Sequence, residues 1–365
     1  MSKPRVAVVF GGRNSEHAVS LMGAGSVLDA IDRSKYEVIP IGIAQDGRWV
    51  LAASDQRFAI EEGELPVVDT SGAALALPSG GNSLVAYDPG AIPVELGTVD
   101  VVFPVMHGPF AEDGTIQGLL EMAGVRYVGS GVLASAVGMD KAYMKTVLAA
   151  AGLPTGRFVA VRDRDWRLNR ELVLKEAEEQ LGYPVFVKPA RAGSSQGISK
   201  ASDRAQLEQA VEFARQHDPK VLIEAAIEGR EIECAVLESP GDEPAAASVP
   251  GEVKVEGGQE FFDFEAKYYP DQMSLTVPAD IPDETAEELR ALAVRAFEAL
   301  DCEGLSRVDF FYTPDGRLIL NEINTMPGFT SLSVAPQLWA ATGVPYAELV
   351  DRLIQLALNR PAGLR

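Results

Sequence analysis

The order of apolar and polar positions divides the chain into alternating strands and helices. RVAVVFGG (5–12) is a short β-branched run closed by two glycines, the pattern of a buried parallel strand feeding a loop. Helical spacing follows in NSEHAVSLMGAGSVLDAID, where Val19, Met22, Val27 and Ile31 are expected to share a face. YEVIPIGI (36–43) predicts a second strand, so the chain opens as strand, glycine loop, helix, strand. Residues 44–98 are rich in Gly, Pro, Ala and Ser and weakly periodic, and read as an elaborated insertion with short strands. VDVVFPVMHG (99–108) predicts another buried strand, and TIQGLLEMAG (115–124) a short helix stopped by glycine.

A new unit is expected near residue 127, with one long helix ending at Gly152 and Pro154. PVFVKPARAGSSQGISK (184–200) reads as strand, Gly/Ser loop, strand. DRAQLEQAVEFARQH (203–217) is amphipathic, with Leu207, Ala210, Val211 and Ala214 at helical steps, and KVLIEAAIEGREIECAVLE (220–238) predicts two strands about EGRE. GQEFFDFEAKYYPDQM (258–273) is polar and aromatic, and reads as an ordered loop. The helix DETAEELRALAVRAFEAL (283–300) is expected to be capped by Asp283 and to bury Leu289, Leu292, Ala296 and Leu300. A hairpin over 306–328 and a closing helix over 346–359 complete the pattern.

Chemistry concentrates first in that hairpin. Residues face one another when their numbers sum to a constant. A two-residue Asp315–Gly316 loop, or a four-residue Pro314–Arg317 loop, sets Asp309 opposite Glu322; a three-residue loop puts them on opposite faces. With the aligned register, period two adds Asn324 to the same face. Three hard oxygen donors with no Lys or Arg among them would repel one another if dry, and suit Mg²⁺ or Mn²⁺. The alternative is an ordinary solvated face.

Composition narrows the field. A length of 365 residues suggests two or three domains. A net charge of −21, from 53 acidic and 32 basic residues, argues against nonspecific nucleic-acid or anionic-membrane binding. The two cysteines, Cys234 and Cys302, form no CxxC and fit a reduced, cytoplasmic setting. The first apolar run is too short for a secretory leader, and none approaches the roughly 18 apolar residues of a membrane helix.

Lysines supply the second focus. KPARAGSSQG (188–197) combines flexible small residues with Lys188 at the end of an apolar strand, where a buried lysine needs an anion. It is neither a Walker A loop nor a GxGxxG, and a plain connection remains open. Lys141 in GMDKAYMK is a second phosphate candidate, or an exposed helix lysine. Glu224 and Glu231 in EAAIEGRE could accept from an adenine amine and a ribose, or be a pair of surface charges.

Together these segments resemble the D-alanine–D-alanine ligases of the ATP-grasp superfamily. VFGGRNSEHAVSL, HGPFAEDGTIQGLLE, GMDK, VKPARAGSSQGIS, DFEAKY and RVDFF…NEINTMPGFTSLS occur in order over nearly the whole chain, with 44–98 the weakest part. The resemblance implies an α/β fold with α+β character in the nucleotide-binding domains: an ATP-grasp fold behind an N-terminal parallel-sheet domain. Expected boundaries are 1–129, 130–224 and 225–365. It implies ATP-dependent joining of two D-alanines through an acylphosphate, with ATP and two Mg²⁺ (or Mn²⁺), a homodimer, and monovalent-cation activation left open. Neither nucleic acid nor membrane is an expected partner.

Residue by residue, the resemblance assigns Asp309, Glu322 and Asn324 to two metals and Lys141 and Lys188 to the phosphates. Ser194 and Ser195 fall in the phosphate-covering loop. Glu224 and Glu231 contact adenosine, with Ile227 and Phe261 about the base. Arg307 and the Gly328 N–H form an oxyanion hole. Glu16 holds the first substrate's ammonium and orients Ser194 and Tyr268. Lys267 and Ser333 grip the second carboxylate, and His107 lies near the second substrate. Residues 257–271 become a lid that keeps water from the acylphosphate, and the Lys267–Tyr268 pair favours an amine acceptor over D-lactate. Ala111, Ala225 and Leu332 depart from relatives without removing an identifiable functional atom. Two rivals stand: a D-alanyl-D-lactate or other ATP-grasp carboxylate–amine ligase, and a nonenzymatic nucleotide sensor, which predicts a missing metal ligand or arginine.

Overall fold

The chain is described here by a computed structural model covering residues 2–53, 55–61, 63–76, 81–87, 92–193, 196–255 and 273–361. Among these residues, Arg5–Gly11 (β1), Glu37–Ile43 (β2), Trp49–Leu51 (β3), Ala74–Ala76 (β4), Ser83–Tyr87 (β5), Val94–Thr98 (β6), Val101–Val105 (β7) and Arg126–Tyr127 (β8) form one sheet, ordered β6-β5-β4-β3-β2-β1-β7-β8. β1 runs parallel to both β2 and β7, and β7 parallel to β8. The segment 44–98 extends the β2 edge with antiparallel strands, as its short apolar runs predict.

Strand order reverses at β1, which has β2 on one side and β7 on the other. In such sheets, the carboxyl ends beside a reversal make a crevice. The loops after β1 and β7 carry Glu16 and His107, so the topology brings these two distant residues together. His17–Ala30 (α1) covers the sheet with Leu21, Ala24, Val27 and Leu28. The face expected from Val19 and Met22 is turned aside, and both are only half-buried. Small residues at Ser20, Gly23 and Ala24 let the helix approach on their side instead.

Thr115–Ala123 (α2) precedes β8, and two helices follow, Val132–Met139 (α3) and Lys141–Ala150 (α4). The single long helix expected here is broken at Asp140. Its carboxylate accepts from Ala142 N and Tyr143 N, starting a new helix rather than continuing the old one.

Phe158–Arg162 (β9), Val185–Pro189 (β10), Ser199–Ala201 (β11) and Lys220–Ala225 (β12) make an antiparallel sheet of order β11-β10-β12-β9. Asp163–Leu181 (α5) and Arg204–Ala214 (α6) close its core around Trp166, Val187, Leu207 and Ile223. Arg230–Leu237 (β13), Ala246–Ala247 (β14), Gly251–Val255 (β15), Met273–Thr276 (β16), Leu305–Tyr312 (β17) and Leu318–Asn324 (β18) form the third sheet, with β13 and β17 central. Asp283–Ala299 (α7) buries Leu289, Leu292, Ala293, Ala296 and Phe297 against it. Pro282, not Asp283, occupies its N-cap; Asp283 is the first helical residue, where a carboxylate still complements the helix dipole. Val334–Ala341 (α8) and Tyr346–Asn359 (α9) return to the first sheet, and Trp339, Leu349 and Leu353 share a core with Val6, Phe10 and Val105.

The β17–β18 hairpin reaches the expected pairing by an unexpected route. Thr313 N donates to Arg317 O at 3.0 Å, so the loop is Pro314, Asp315 and Gly316, three residues, with Gly316 at φ 82°. Near the turn Tyr312 pairs with Leu318 and Phe310 with Leu320, the register that would separate the acids. One residue farther, β18 carries an extra position at Asn321. The register shifts, and Asp309 comes to face Glu322 and Arg307 to face Asn324.

Candidate active site

Three groups of charged side chains meet between the sheets. The first lies on one face of β13, β17 and β18, where pairing aligns Glu233 with Asp309 and Asp309 with Glu322. Arg307, two residues from Asp309 on the same face, holds that carboxylate with two bonds, Nε–Oδ1 and Nη2–Oδ2, both 2.7 Å. Its Nε also lies 2.9 Å from Glu233 Oε2. Burial works against the guanidinium, but Asp309 and Glu233 hold its pKa well above the usual arginine range. Lys141, first residue of α4, reaches Glu322 Oε2 at 3.0 Å. Burial again opposes its charge, and Glu322, Glu224 and Glu112 together raise its pKa.

The expectation that the three oxygen donors lack cationic partners is therefore corrected. Arg307 shares Asp309's face, and the helix break at Asp140 aims Lys141 at Glu322. Asn324 Oδ1 accepts from Met326 N at 3.0 Å, which fixes the turn out of β18. All three donors are hard oxygens, as a Mg²⁺-type ion requires. Among the described residues, no group of three or more His, Cys, Asp and Glu is arranged to hold a metal; the candidate set includes the amide oxygen of Asn324.

The second group is centred on Glu224, in β12. Lys145 on α4 lies 2.8 Å from its Oε1, and Lys188 on β10 contacts Oε2. Burial would raise the Glu224 pKa; the two ammonium groups outweigh it and bring it down to about 2. Ile227, in the β12–β13 connection, lies near Lys145, since a Cβ on Gly156 would meet both; Glu231 is on the face of β13 that carries Glu233. Lys145 escaped sequence reasoning, although its i, i+4 spacing from Lys141 places both on one side of a helix.

The third group occupies the crevice of the first sheet. His107 Nδ1 contacts Met326 O at 3.1 Å, which makes Nδ1 the protonated nitrogen; Nε2 has no partner among the described residues. Burial lowers the His107 pKa, against the pull of Glu16, so the ring is neutral near pH 7. Asn14 Nδ2 donates to His107 O at 2.6 Å and Pro109 O at 2.7 Å, fastening the two loops. Gly108 has φ 72°, and a Cβ there would lie 2.6 Å from Glu16 Oε2. A Cβ on Gly193 would lie 3.2 Å from the same atom, so Gly193 lies against Glu16.

Glu112, absent from the expected site, accepts from Gly108 N at 2.5 Å. Burial and the charge of Glu16 push its pKa up to about 8. Its only trace in the sequence is the acidic pair after HGPFA. Ser333 precedes α8, and its Oγ accepts from Thr330 N at 3.0 Å; a Cβ on Gly328 would lie 3.2 Å from that oxygen, so Gly328 and Ser333 share one loop surface. Ser194, Ser195, Phe261, Lys267 and Tyr268, with the proposed lid, lie outside the described residues.

Comparison with known proteins places this arrangement. Residues 5–130 match the D-ala D-ala ligase N-terminus family and residues 147–355 the D-ala D-ala ligase C-terminus family. A D-alanine–D-alanine ligase of Arthrobacter sp. (strain FB24) is 59% identical, covering 100% of this chain and 96% of the relative. One of Streptomyces coelicolor is 54% identical, covering 99% and 95%. Among solved structures, the VanG D-Ala:D-Ser ligase from Enterococcus faecalis superposes with TM-score 0.83 at 36% identity, over 98% of this chain and 100% of that one. The D-alanine-D-alanine ligase from Coxiella burnetii gives 0.81 at 33%, over 99% and 95%. The fold is therefore the α/β, ATP-grasp architecture of those enzymes, and the chain belongs to the D-alanine–D-alanine ligase family.

Proposed function

We propose that this chain uses ATP to join two D-alanines as D-alanyl-D-alanine, a building block of peptidoglycan. The observation that carries the reading is the convergence of three groups in one place: a phosphate-compatible pair of lysines, a row of oxygen donors, and a substrate crevice. A carboxylate oxygen of the first D-alanine attacks the γ-phosphorus, ADP departs, and D-alanyl phosphate forms. The amine of the second attacks the acyl carbon; phosphate leaves and the ammonium proton is released. The intermediate hydrolyses readily, so the second step needs a dry cleft.

In this reading Lys141 and Lys188 exchange their carboxylate partners for ATP phosphates. Asp309, Glu322 and Asn324 would hold two Mg²⁺ (or Mn²⁺), which supply charge neutralisation of the triphosphate. Arg307 and the Gly328 N–H stabilise the tetrahedral oxygen. Glu16 takes the first ammonium, Ser333 and Lys267 the second carboxylate, with neutral His107 beside it. Glu224, Ile227, Glu231 and Phe261 receive adenosine; Ser194, Ser195 and Tyr268 complete the cover. Arg307, Asp309, Glu322 and Asn324 are all present, which disfavours a nonenzymatic sensor. A homodimer in the cytoplasm, without membrane or nucleic-acid partners, belongs to the same proposal. No helix among the described residues is long and apolar enough to cross a membrane.

Acceptor competition tests the assignment. Offered D-alanine with D-lactate or D-serine near neutral pH, the enzyme should form D-alanyl-D-alanine predominantly. Preferential ester or D-alanyl-D-serine formation would reassign the acceptor.

A further inference from the structure

Lys145 has no part in the reaction scheme above, yet it is among the most deeply buried charges of the chain, 1% exposed. A buried ammonium is costly unless an anion partners it. Its partner is Glu224, itself 8% exposed, whose second oxygen takes Lys188. We propose that Lys145 is a positioning residue for nucleotide selection: it holds Glu224 as the acceptor for an exocyclic purine amine, so that the cleft prefers a 6-aminopurine to a 6-oxopurine nucleotide. This rests on the reading of Glu224 as a base contact.

The two lysines are not equivalent. Lys188 sits where β10 gives way to the Gly/Ser loop, and the phosphates are expected to draw it away. Lys145 is held inside α4, which is tied to the same sheet through Asp140–Lys220, at 2.7 and 2.9 Å, and Lys141 N–Ala190 O, at 3.0 Å. Once Lys188 turns to phosphate, Lys145 is what keeps Glu224 from being a buried carboxylate without a counter-ion.

The acceptor capacity of Glu224 is not exhausted. Although Lys145 Nζ lies 2.8 Å from Glu224 Oε1, that oxygen has no well-directed hydrogen bond among the described residues, so a lone pair remains for an incoming N–H. The ammonium also adjoins the base-binding side: a Cβ on Gly156 would lie 2.9 Å from Ile227 Cδ1 and 3.8 Å from Lys145 Nζ. An ionised carboxylate accepts and cannot donate. A 6-amino group satisfies it, whereas a 6-oxo group sets two acceptors against each other.

The test is calorimetric binding of ATP and ITP, without D-alanine, to wild type, Lys145→Met, Glu224→Gln and the double variant. Wild type should favour ATP. Lys145→Met should reduce that preference on the order of tenfold, as expected for loss of one well-placed hydrogen bond. Glu224→Gln should reduce it similarly, and the double variant no further. An unchanged ATP/ITP ratio in Lys145→Met, with only a lower Tm, would make Lys145 merely structural and overturn the proposal. Should Lys145→Met not fold, the double variant, which removes both members of the Lys145–Glu224 pair, replaces it; an added loss of preference beyond Glu224→Gln overturns the proposal. Retained preference in Glu224→Gln sinks the base-contact reading itself and the proposal with it, while leaving D-alanine ligation untouched.

Discussion

The face of the third sheet and the Glu224 group are both built from buried ion pairs, but their balance is opposite. On the sheet, three carboxylates (Glu233, Asp309, Glu322) meet two cations, Arg307 and Lys141. Around Glu224, two ammonium groups meet one carboxylate. The residual charge of one side invites cations and that of the other invites phosphate. A nucleotide with its metals can therefore replace the internal pairs without stranding a charge, which a neutral cleft could not offer.

The largest effect should come from breaking the acid-rich side. Arg307→Ala removes the group expected to stabilise the tetrahedral oxygen and the counter-ion of Asp309 and Glu233 together. Turnover should fall about 10²–10³-fold, as for a lost oxyanion donor, in a coupled dipeptide assay; unchanged turnover would refute the role.

A step smaller, Lys188→Met leaves the Glu224 group with equal charges. KM for ATP should rise about tenfold or more, the worth of one charge-assisted bond, with a weaker salt dependence of ATP binding. An unaltered KM would mean the excess cation does not serve phosphate.

Glu112 sharpens the picture in the substrate crevice. Its pKa, raised to about 8, means the folded state keeps a proton that the unfolded chain gives up near the ordinary value of 4.5. The associated stability is fully present below 4.5 and is lost as pH rises toward 8. Glu112→Gln should therefore gain in Tm relative to wild type between pH 5 and pH 8. A constant Tm difference across that range would show that the carboxyl is ionised throughout.

The smallest expected effect concerns the reverse face of the acid-rich sheet. Burial pushes the thiols of Cys234 and Cys302 up to about 12. A bulky thiol reagent at pH 8 should label the native protein far more slowly than the denatured one. Equal rates would mean that this core opens readily.

Much of this was legible in the sequence where local pattern and chemistry agree. The β1 and β7 runs and the Glu/Asn alternation of β18 follow from apolar runs and from a period of two. Legibility failed where a single residue overrides the period. Asp140 breaks a helix that its neighbours would continue, and only that break puts Lys141 onto Glu322. The three-residue hairpin loop defeated the simple register count, and the extra residue at Asn321 cancelled the error. Lys145 and Glu112 went unread because burial, which sets their chemistry, depends on packing between segments far apart in the chain.

Product stoichiometry tests the central claim most directly. With ATP, Mg²⁺ and D-alanine, the enzyme should release one phosphate for each D-alanyl-D-alanine formed, and almost none when D-alanine or Mg²⁺ is withheld. Phosphate released without dipeptide, or dipeptide formed without ATP cleavage, would contradict the account.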